Sequence, residues 1–254
     1  PCSAGMFPHL FMHWLSAKRV EAFKLPIMAY PICMVIVWIP SVMLGVLGHV
    51  DFPELEGPAA SGVLVKMIHL HAPELLAGLL AAGVFAAVMS SLDSQVLAMS
   101  TMFTQDVVRH YGLLGGATDT ERDRRQVQAG RLFVISVVAI TYLLSLVAKT
   151  SIFGLAVWSF TGFASLFPIV VAAIFWRRST RHGAFAAILT VVVLWIYFFL
   201  DGWQVPGYSV GGTGIMPVAI IFLACSVMMV VVSLVTQPPP AAVVDRFFPQ
   251  GARR

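Results

Sequence analysis

The sequence has few charged side chains and few cysteines. Asp, Glu, Lys and Arg make up 11% of the 254 residues, hydrophobic residues make up 59%, and the mean hydropathy is +0.87. A soluble globule of this size needs more polar residues to cover its surface, so the composition excludes that class and predicts a membrane protein. The three cysteines, Cys2, Cys33 and Cys225, lie far apart in the chain, which argues against a disulfide framework and a zinc site.

Charged residues are absent from six long stretches of the chain. Each stretch is long enough for a helix across a hydrocarbon core of about 30 Å, so we predict an all-α membrane protein with about six transmembrane helices. The stretches are Leu25 to Val50, Leu75 to Leu92, Leu132 to Ala148, Thr150 to Trp176, Gly183 to Leu200 and Gly202 to Val235. A polar, glycine-rich loop, Gly207 to Gly214, opens the last stretch, so its spanning helix is expected to begin near Ile215.

The positive charges predict how the chain crosses the membrane. Lys and Arg are retained on the cytoplasmic side of short loops. With the N-terminal segment inside, 14 of the 16 Lys and Arg residues lie in the cytoplasm, and Lys66 and Lys149 lie outside. We therefore predict a multi-pass protein of the cell inner or plasma membrane with both ends of this chain cytoplasmic. These loops account for the net charge of +4, so no nucleic-acid partner is predicted.

Polar residues interrupt the second apolar stretch. The nine residues AAVMSSLDS, Ala86 to Ser94, carry three hydroxyls and the carboxylate of Asp93. A helix repeats every ~3.6 residues, so one face carries four small residues, with Asp93 beside it: Ala87, Ser90, Ser91 and Ser94. Hydroxyls and, where a helix loosens, backbone carbonyls bind hard monovalent cations in transporters, so one hypothesis is a sodium site. The alternative is close packing of two helices through small residues.

The depth of this motif bears on Asp93. At ~1.5 Å per residue, a helix from Glu74 to Leu92 covers about 29 Å, which places the motif in the inner half of the membrane. An ionisable residue inside a membrane segment is a functional candidate, but at this depth Asp93 could also be solvated at the inner interface. The sequence has no helix breaker before Gly112, so the helix can continue into the cytoplasm as far as Tyr111.

The fourth stretch has a polar outer half that contains potential helix breakers. It holds Trp158, Ser159, Thr161, Ser165 and Pro168. Trp158, Ser159 and Thr161 are candidates for lining a solute path, and small-residue packing is the alternative role for each of them.

The AAVMSSLDS motif, continuing through Ser100-Thr101 to Asp106 and Tyr111, resembles the signature of the sodium:solute symporter family. Weaker similarities agree with it in order and spacing: Phe7-Pro8-His9, Trp14 to Lys18, Phe175 to Thr180 with Gly183, and Arg246-Phe247-Phe248. The resemblance implies sodium-coupled symport of a small organic solute, with Na⁺ as the coupling ion. It also implies a LeuT-type inverted-repeat fold in which this chain is the second repeat plus two extra helices, and in which an N-terminal half of the same protein is missing.

The same resemblance assigns residues and boundaries. It implies that the Ala87 carbonyl and the hydroxyls of Ser90 and Ser91 bind sodium, and that carbonyls of the missing half complete the shell. Asp93 and Ser94 match the motif, and could support a second cation, bond to cytoplasmic groups or fix helix packing. The chain is then one partial symporter domain over 1–254. It would comprise a cytoplasmic segment (1–24), four core spans (25–176), two peripheral spans (183–236) and a cytoplasmic tail (237–254).

Two other functions are alternatives to transport. Symporter-like domains also occur fused to signalling kinases, so a sensory membrane module is the alternative, although Gln237 to Arg254 leaves no room for a kinase. An intramembrane enzyme would need a paired acid, a nucleophile with its base, or a metal cluster. Asp93 has no acidic partner within the predicted spans, so we expect a protein that is not an enzyme.

Overall fold

The computed structural model describes residues 2–113, 118–147, 151–203, 205 and 207–248. Within these residues the chain is helical, as the sequence predicts, and short 3₁₀ turns connect several of the α-helices. The α-helices are, in chain order, α1 (Pro8–Leu15), α2 (Lys24–Asp51), α3 (Val63–His71), α4 (Glu74–Met102), α5 (Asp119–Val147), α6 (Ile152–Ala164), α7 (Phe167–Phe175), α8 (Arg181–Asp201), α9 (Pro217–Val235) and α10 (Ala241–Phe247).

Six helical segments among the described residues are long and apolar enough to cross a membrane, which confirms the predicted number of spans. They are Val20–Asp51, Glu74–Arg109, Asp119–Val147, Ile152–Phe175, Arg181–Asp201 and Pro217–Val235. The last begins two residues after Ile215, close to the expected start. Lys149, which the charge distribution places outside the cytoplasm, is not among the described residues.

The second span is longer than its apolar stretch, as the absence of a helix breaker before Gly112 predicted. After α4 the chain continues as a π-helix, Phe103–Arg109, so the helical segment extends well beyond Leu92. It closes at Gly112, whose φ of +58° is one that glycine adopts without steric cost.

The third span begins earlier than the sequence predicted. α5 starts at Asp119, 13 residues before the apolar stretch that opens at Leu132. The Thr118 hydroxyl accepts a hydrogen bond from the Glu121 backbone N–H at 3.3 Å, and acidic residues in the first turn favour the helix dipole. Absence of charge marks the part of the helix inside the bilayer, but the helix itself extends into the polar phase.

The fourth span is broken, which confirms that its polar half contains a helix break. α6 ends at Ala164 and α7 begins at Phe167. Pro168 has no backbone N–H, so it cannot donate to the Ala164 carbonyl, and this lost hydrogen bond favours a break there. The connecting turn is closed by hydrogen bonds from the Leu166 N–H to Phe163 O and from the Ile169 N–H to Leu166 O, both 3.1 Å.

The chain forms two compact units, Pro8–Ser151 and a second that combines Pro1–Phe7 with Ile152–Arg254. The second unit has an apolar core in which α8 and α9 pair along their length. Its buried members are Trp158, Ala187, Val191, Phe198, Ile221, Cys225 and Met229.

A polar network closes the α8–α9 pair at the start of α8. The Thr180 hydroxyl caps α8 by accepting from the Gly183 N–H at 3.1 Å, and it lies 2.8 Å from the Thr236 hydroxyl. Arg178 donates to the Leu234 carbonyl at 3.0 Å. After α9 the prolines of the tail interrupt the helix, and a further short helix, α10, follows in the segment that the sequence described only as a tail.

Candidate functional site

The AAVMSSLDS motif lies within one uninterrupted α-helix, α4. The backbone carbonyls from Ala86 to Ser94 therefore remain in the helical hydrogen-bond ladder, and the helix does not loosen at the motif. The departure from α-helical geometry comes later, in the π-helix that begins at Phe103. A carbonyl oxygen has two lone pairs, so the Ala87 carbonyl keeps one acceptor position while it accepts its helical bond.

Ser90 and Ser91 present neighbouring hydroxyls on the surface of α4. Both residues are exposed, as is Ala87, and Ser94 is partly buried. Among the described residues, no hydrogen bond engages either the Ser90 or the Ser91 side chain. The Ser94 hydroxyl instead donates to the Ser91 carbonyl at 3.0 Å. The two adjacent hydroxyls are thus available to a ligand, whereas the proton of the third is used within the helix.

Asp93 lines a cleft between α4 and α5, at the edge of the serine face next to Ser90. It is three residues from Ser90, which places it about 60° around the helix axis from Ser90 and about 160° from Ser91. The cleft has a volume of about 670 Å³. Its polar lining is made by Asp93, Ser100, Thr101, Thr104, Gln105, Asp123, Gln126 and Arg131. The structure therefore places Asp93 with polar groups of α5, in a location that the sequence did not predict.

Close packing at Gly130 brings α5 to this cleft. A Cβ at position 130 would lie 2.7 Å from the Ser100 Oγ and 3.1 Å from the Thr104 Cγ2. The rings of Phe103 and Phe133 stack beside this contact, with centroids 4.3 Å apart and planes 6° from parallel. Sequence reasoning missed Gly130. Its signal was a glycine within a helical segment, which commonly marks close approach of a neighbouring helix.

The three candidates for a solute path occupy different environments. Trp158 and Thr161 are buried, and Ser159 is exposed. Trp158 packs edge-on to Phe199 with centroids 5.5 Å apart, and its carbonyl accepts a hydrogen bond from the Trp195 indole N–H at 3.0 Å. The packing alternative therefore accounts for Trp158 and Thr161, and contact with a solute stays a prediction for all three residues.

Other polar contacts lie away from the motif. His71 Nε2 is 2.7 Å from the Asp51 carboxylate, a contact between the ends of α3 and α2. The Tyr208 hydroxyl donates to the Asp201 carboxylate, and this hydrogen bond raises the pKa of Tyr208 from its ordinary 10.0 to about 12. Within the described part of the chain, no three His, Cys, Asp or Glu side chains group as ligands for a metal ion.

Comparison with known proteins identifies the family. The model of the sodium:solute symporter family matches residues 4–190, which include the whole AAVMSSLDS motif. The chain belongs to the sodium:solute symporter family. This confirms the resemblance drawn from the motif. Together with the six apolar helical segments, it makes the chain part of a multi-pass membrane protein.

The chain is similar to several members of the sodium:solute symporter family. It is 26% identical to the osmoregulated proline transporter OpuE of Bacillus subtilis over 92% of the chain and 46% of that protein. It is 28% identical to the sodium/proline symporter of Salmonella typhimurium over 94% of the chain and 46% of that protein. It is 30% identical to the sodium/proline symporter of Escherichia coli over 78% of the chain and 37% of that protein. These relatives are transporters and not enzymes, and the chain spans about half of their length or less.

Proposed function

We propose that the protein to which this chain belongs uses a sodium gradient to drive transport of a small organic solute across the membrane. The observation that carries the proposal is the pair of exposed hydroxyls at Ser90 and Ser91, neither engaged in a hydrogen bond among the described residues, on α4 of a symporter-family chain. A hard monovalent cation requires neighbouring oxygen ligands that are not already engaged in hydrogen bonds within the helix.

The proposed sodium ligands from this chain are the Ala87 carbonyl and the hydroxyls of Ser90 and Ser91. All three are spaced to share one side of α4. The remaining ligands would come from a segment that this chain does not contain, since its relatives are about twice as long. Ser94 supports the site indirectly, because its hydroxyl bonds the Ser91 carbonyl at 3.0 Å. Asp93 contributes charge from the neighbouring cleft and is not among the ligands we propose.

Coupling follows if sodium binds one conformation more tightly than another. A ligand with equal affinity for two conformations does not shift the equilibrium between them. One conformation must therefore offer sodium a more complete set of ligands than the other. We propose that sodium joins α4 to the absent half in the outward-open state. Its release to the cytoplasm would remove that link and let the solute leave.

We propose a LeuT-type inverted-repeat fold for the whole protein. α2, α4, α5 and the α6–α7 pair would be the four core spans of the second repeat, and α8 and α9 would be peripheral. The break between α6 and α7 supports this assignment, because discontinuous helices are typical of such transporters. The distribution of Lys and Arg supports cytoplasmic ends for this chain.

For the solute, we propose a small amino acid, with proline as the first candidate. The similar proteins reported above are proline transporters or sodium/proline symporters by name. Ser159, the exposed member of the three predicted residues, is the one we propose for the solute path. None of the observations favours the sensory module, so we propose no signalling function.

The decisive test is uptake by the full-length protein in proteoliposomes. We expect labelled proline to accumulate under an inward sodium gradient and not under an equal potassium gradient. A panel of sugars, carboxylates and other amino acids should be assayed in parallel. Sodium-driven uptake of another solute would change the substrate but keep the coupling. Uptake that ignores sodium for every solute would reject the proposed function.

A further inference from the structure

A groove lies between the end of α7 and the short helix α10 in the second compact unit. Its volume is about 250 Å³. The apolar part of its lining comes from Ala173, Pro239, Val243, Val244, Phe247 and Phe248, and the polar side chains are Arg177 and Ser179. The groove therefore combines a hydrocarbon-lined body with a guanidinium and a hydroxyl.

The position of the groove along the chain places it at the membrane surface. α7 ends one spanning segment at Phe175, and α8 begins the next at Arg181. The turn between them must therefore lie at the boundary between hydrocarbon and water. Trp176 opens this turn, and tryptophan is enriched at that boundary.

α10 has the character of a helix that lies in the membrane interface. Val243 and Phe247 are four residues apart and share a helix face. Their side chains are 48% and 73% exposed, so this apolar face is not covered by the chain itself. Arg246 lies beside it. An exposed apolar face flanked by arginine is the pattern of helices that rest among lipid headgroups.

The sequence segments beside the groove carry mainly positive charge. The segments 176–182 and 241–248 together carry four arginines and a single carboxylate, and of these arginines Arg177 lines the groove. Arg177 lies 3.3 Å from that carboxylate, Asp245, and 5.9 Å from the centre of the Phe248 ring. Both members of the ion pair are about half exposed, so solvent screens their attraction and the pair is weak.

We propose that this groove, which we call the α7–α10 groove, binds an anionic phospholipid. The phosphate oxygens would accept hydrogen bonds from the Arg177 guanidinium and the Ser179 hydroxyl. An acyl chain would cover the exposed face of α10 at Val243 and Phe247. Arginine presents a fork of donors that matches phosphate geometry, and basic pockets beside membrane helices bind acidic headgroups. Asp245 competes with the phosphate for Arg177, so occupancy depends on how strongly that ion pair holds.

The test is lipid retention by the full-length protein, measured by native mass spectrometry in detergent with added phosphatidylglycerol or phosphatidylcholine. We expect preferential retention of phosphatidylglycerol. Arg177→Gln should weaken it about fivefold, since one arginine near an anionic lipid surface contributes on that order. Asp245→Asn should strengthen it, because it removes the competing carboxylate. The matched control is Arg124→Gln, which removes an exposed arginine from α5 and should change nothing.

The outcomes separate this site from sodium transport and from misfolding. Equal retention of the two lipids, or equal effects of Arg177→Gln and Arg124→Gln, would overturn the proposal. We expect lipid retention to fall in Arg177→Gln and to rise in Asp245→Asn. A general loss of folding would instead weaken retention in both variants, so the two explanations can be distinguished. The assay requires no transport, so it can fail or succeed independently of sodium-driven uptake.

Discussion

Gly130 of α5 lies directly against Ser100 of α4. A Cβ at position 130 would lie 2.7 Å from the Ser100 Oγ and 3.1 Å from the Thr104 methyl carbon. This contact holds the two helices together at the cleft that contains Asp93. Small residues permit such close approach in membranes, where van der Waals packing rather than water exclusion drives helices together.

Enlarging Gly130 should therefore destabilise the α4–α5 pair. We expect Gly130→Val to lower the unfolding free energy by ~1–3 kcal/mol through overpacking. Gly130→Ala should cost less than Gly130→Val, because the Ser100 hydroxyl can rotate away, the Thr104 methyl carbon is the one remaining close contact given for the added Cβ, and alanine gains ~1 kcal/mol in helix propensity over glycine. Thermal denaturation of the full-length protein in detergent measures both changes.

The control for this prediction is Gly78→Val on α4. Among the described residues, no atom outside the helix's own backbone lies within 4 Å of a Cβ built at Gly78, so within this chain the same chemical change meets no neighbouring helix. If Gly78→Val lowers the melting temperature as much as Gly130→Val, the cost comes from valine in a helix and not from the contact with Ser100.

Removing either hydroxyl at the proposed sodium site should weaken sodium activation. Ser90→Ala and Ser91→Ala each remove one oxygen ligand, and an interaction with a charged group contributes ~1.5–3 kcal/mol. We therefore expect the sodium concentration for half-maximal uptake to rise about tenfold or more in each variant, as measured by solute uptake in proteoliposomes.

Ser136→Ala is the matched control for these two variants. Ser136 is an exposed serine of the spanning helix α5, and its hydroxyl donates to the Leu132 carbonyl at 2.9 Å. Its removal should leave sodium activation unchanged. Unchanged activation in both Ser90→Ala and Ser91→Ala would contradict the proposed ligands.

Asp93→Asn should affect sodium activation less than the serine variants do. Asp93 lies at the edge of the serine face, about 60° around α4 from Ser90, and its side chain lines the cleft toward α5. Its charge would act on the ion from a distance through polar surroundings, so we expect a change of about twofold or less, one that shrinks further at high ionic strength. A change in sodium activation as large as that of Ser90→Ala would indicate that Asp93 is itself a sodium ligand.

Tyr208 should ionise only at high pH. Its hydrogen bond to the Asp201 carboxylate raises the pKa of Tyr208 to about 12. Because the folded-state pKa is raised, the stabilisation from this bond is complete below the ordinary pKa of 10.0 and is lost as the pH rises through about 12. Asp201→Asn should return the pKa toward its ordinary value.

Ultraviolet titration of tyrosinate measures this pKa when the Tyr208→Phe curve is subtracted from that of the unmodified protein. The subtracted curve should have its midpoint near 12 and move down in Asp201→Asn. A midpoint near the ordinary value in both proteins would show that the Tyr208–Asp201 bond does not form in solution.

Much of the architecture could be predicted from local sequence. The six spans follow from charge-free stretches, because the bilayer excludes unpaired charge and requires each backbone to satisfy its own hydrogen bonds. Pro168, which lacks an N–H, marked a potential break in the fourth span, and the absence of a breaker before Gly112 predicted the length of the second span. The start of α5 at Asp119 was missed, because hydropathy marks the bilayer and not the ends of a helix.

The chain's sequence by itself determined the membrane class, the helical segments and the polar motif from Ala87 to Ser94, since each depends on residues that are neighbours in the chain. The tertiary structure alone decided which side of each helix meets another. It placed Asp93 in the cleft with α5, buried Trp158 against α8 and brought Arg177 to Asp245. These contacts join distant segments, and in a helix that is apolar nearly all round, periodicity does not identify the face that packs.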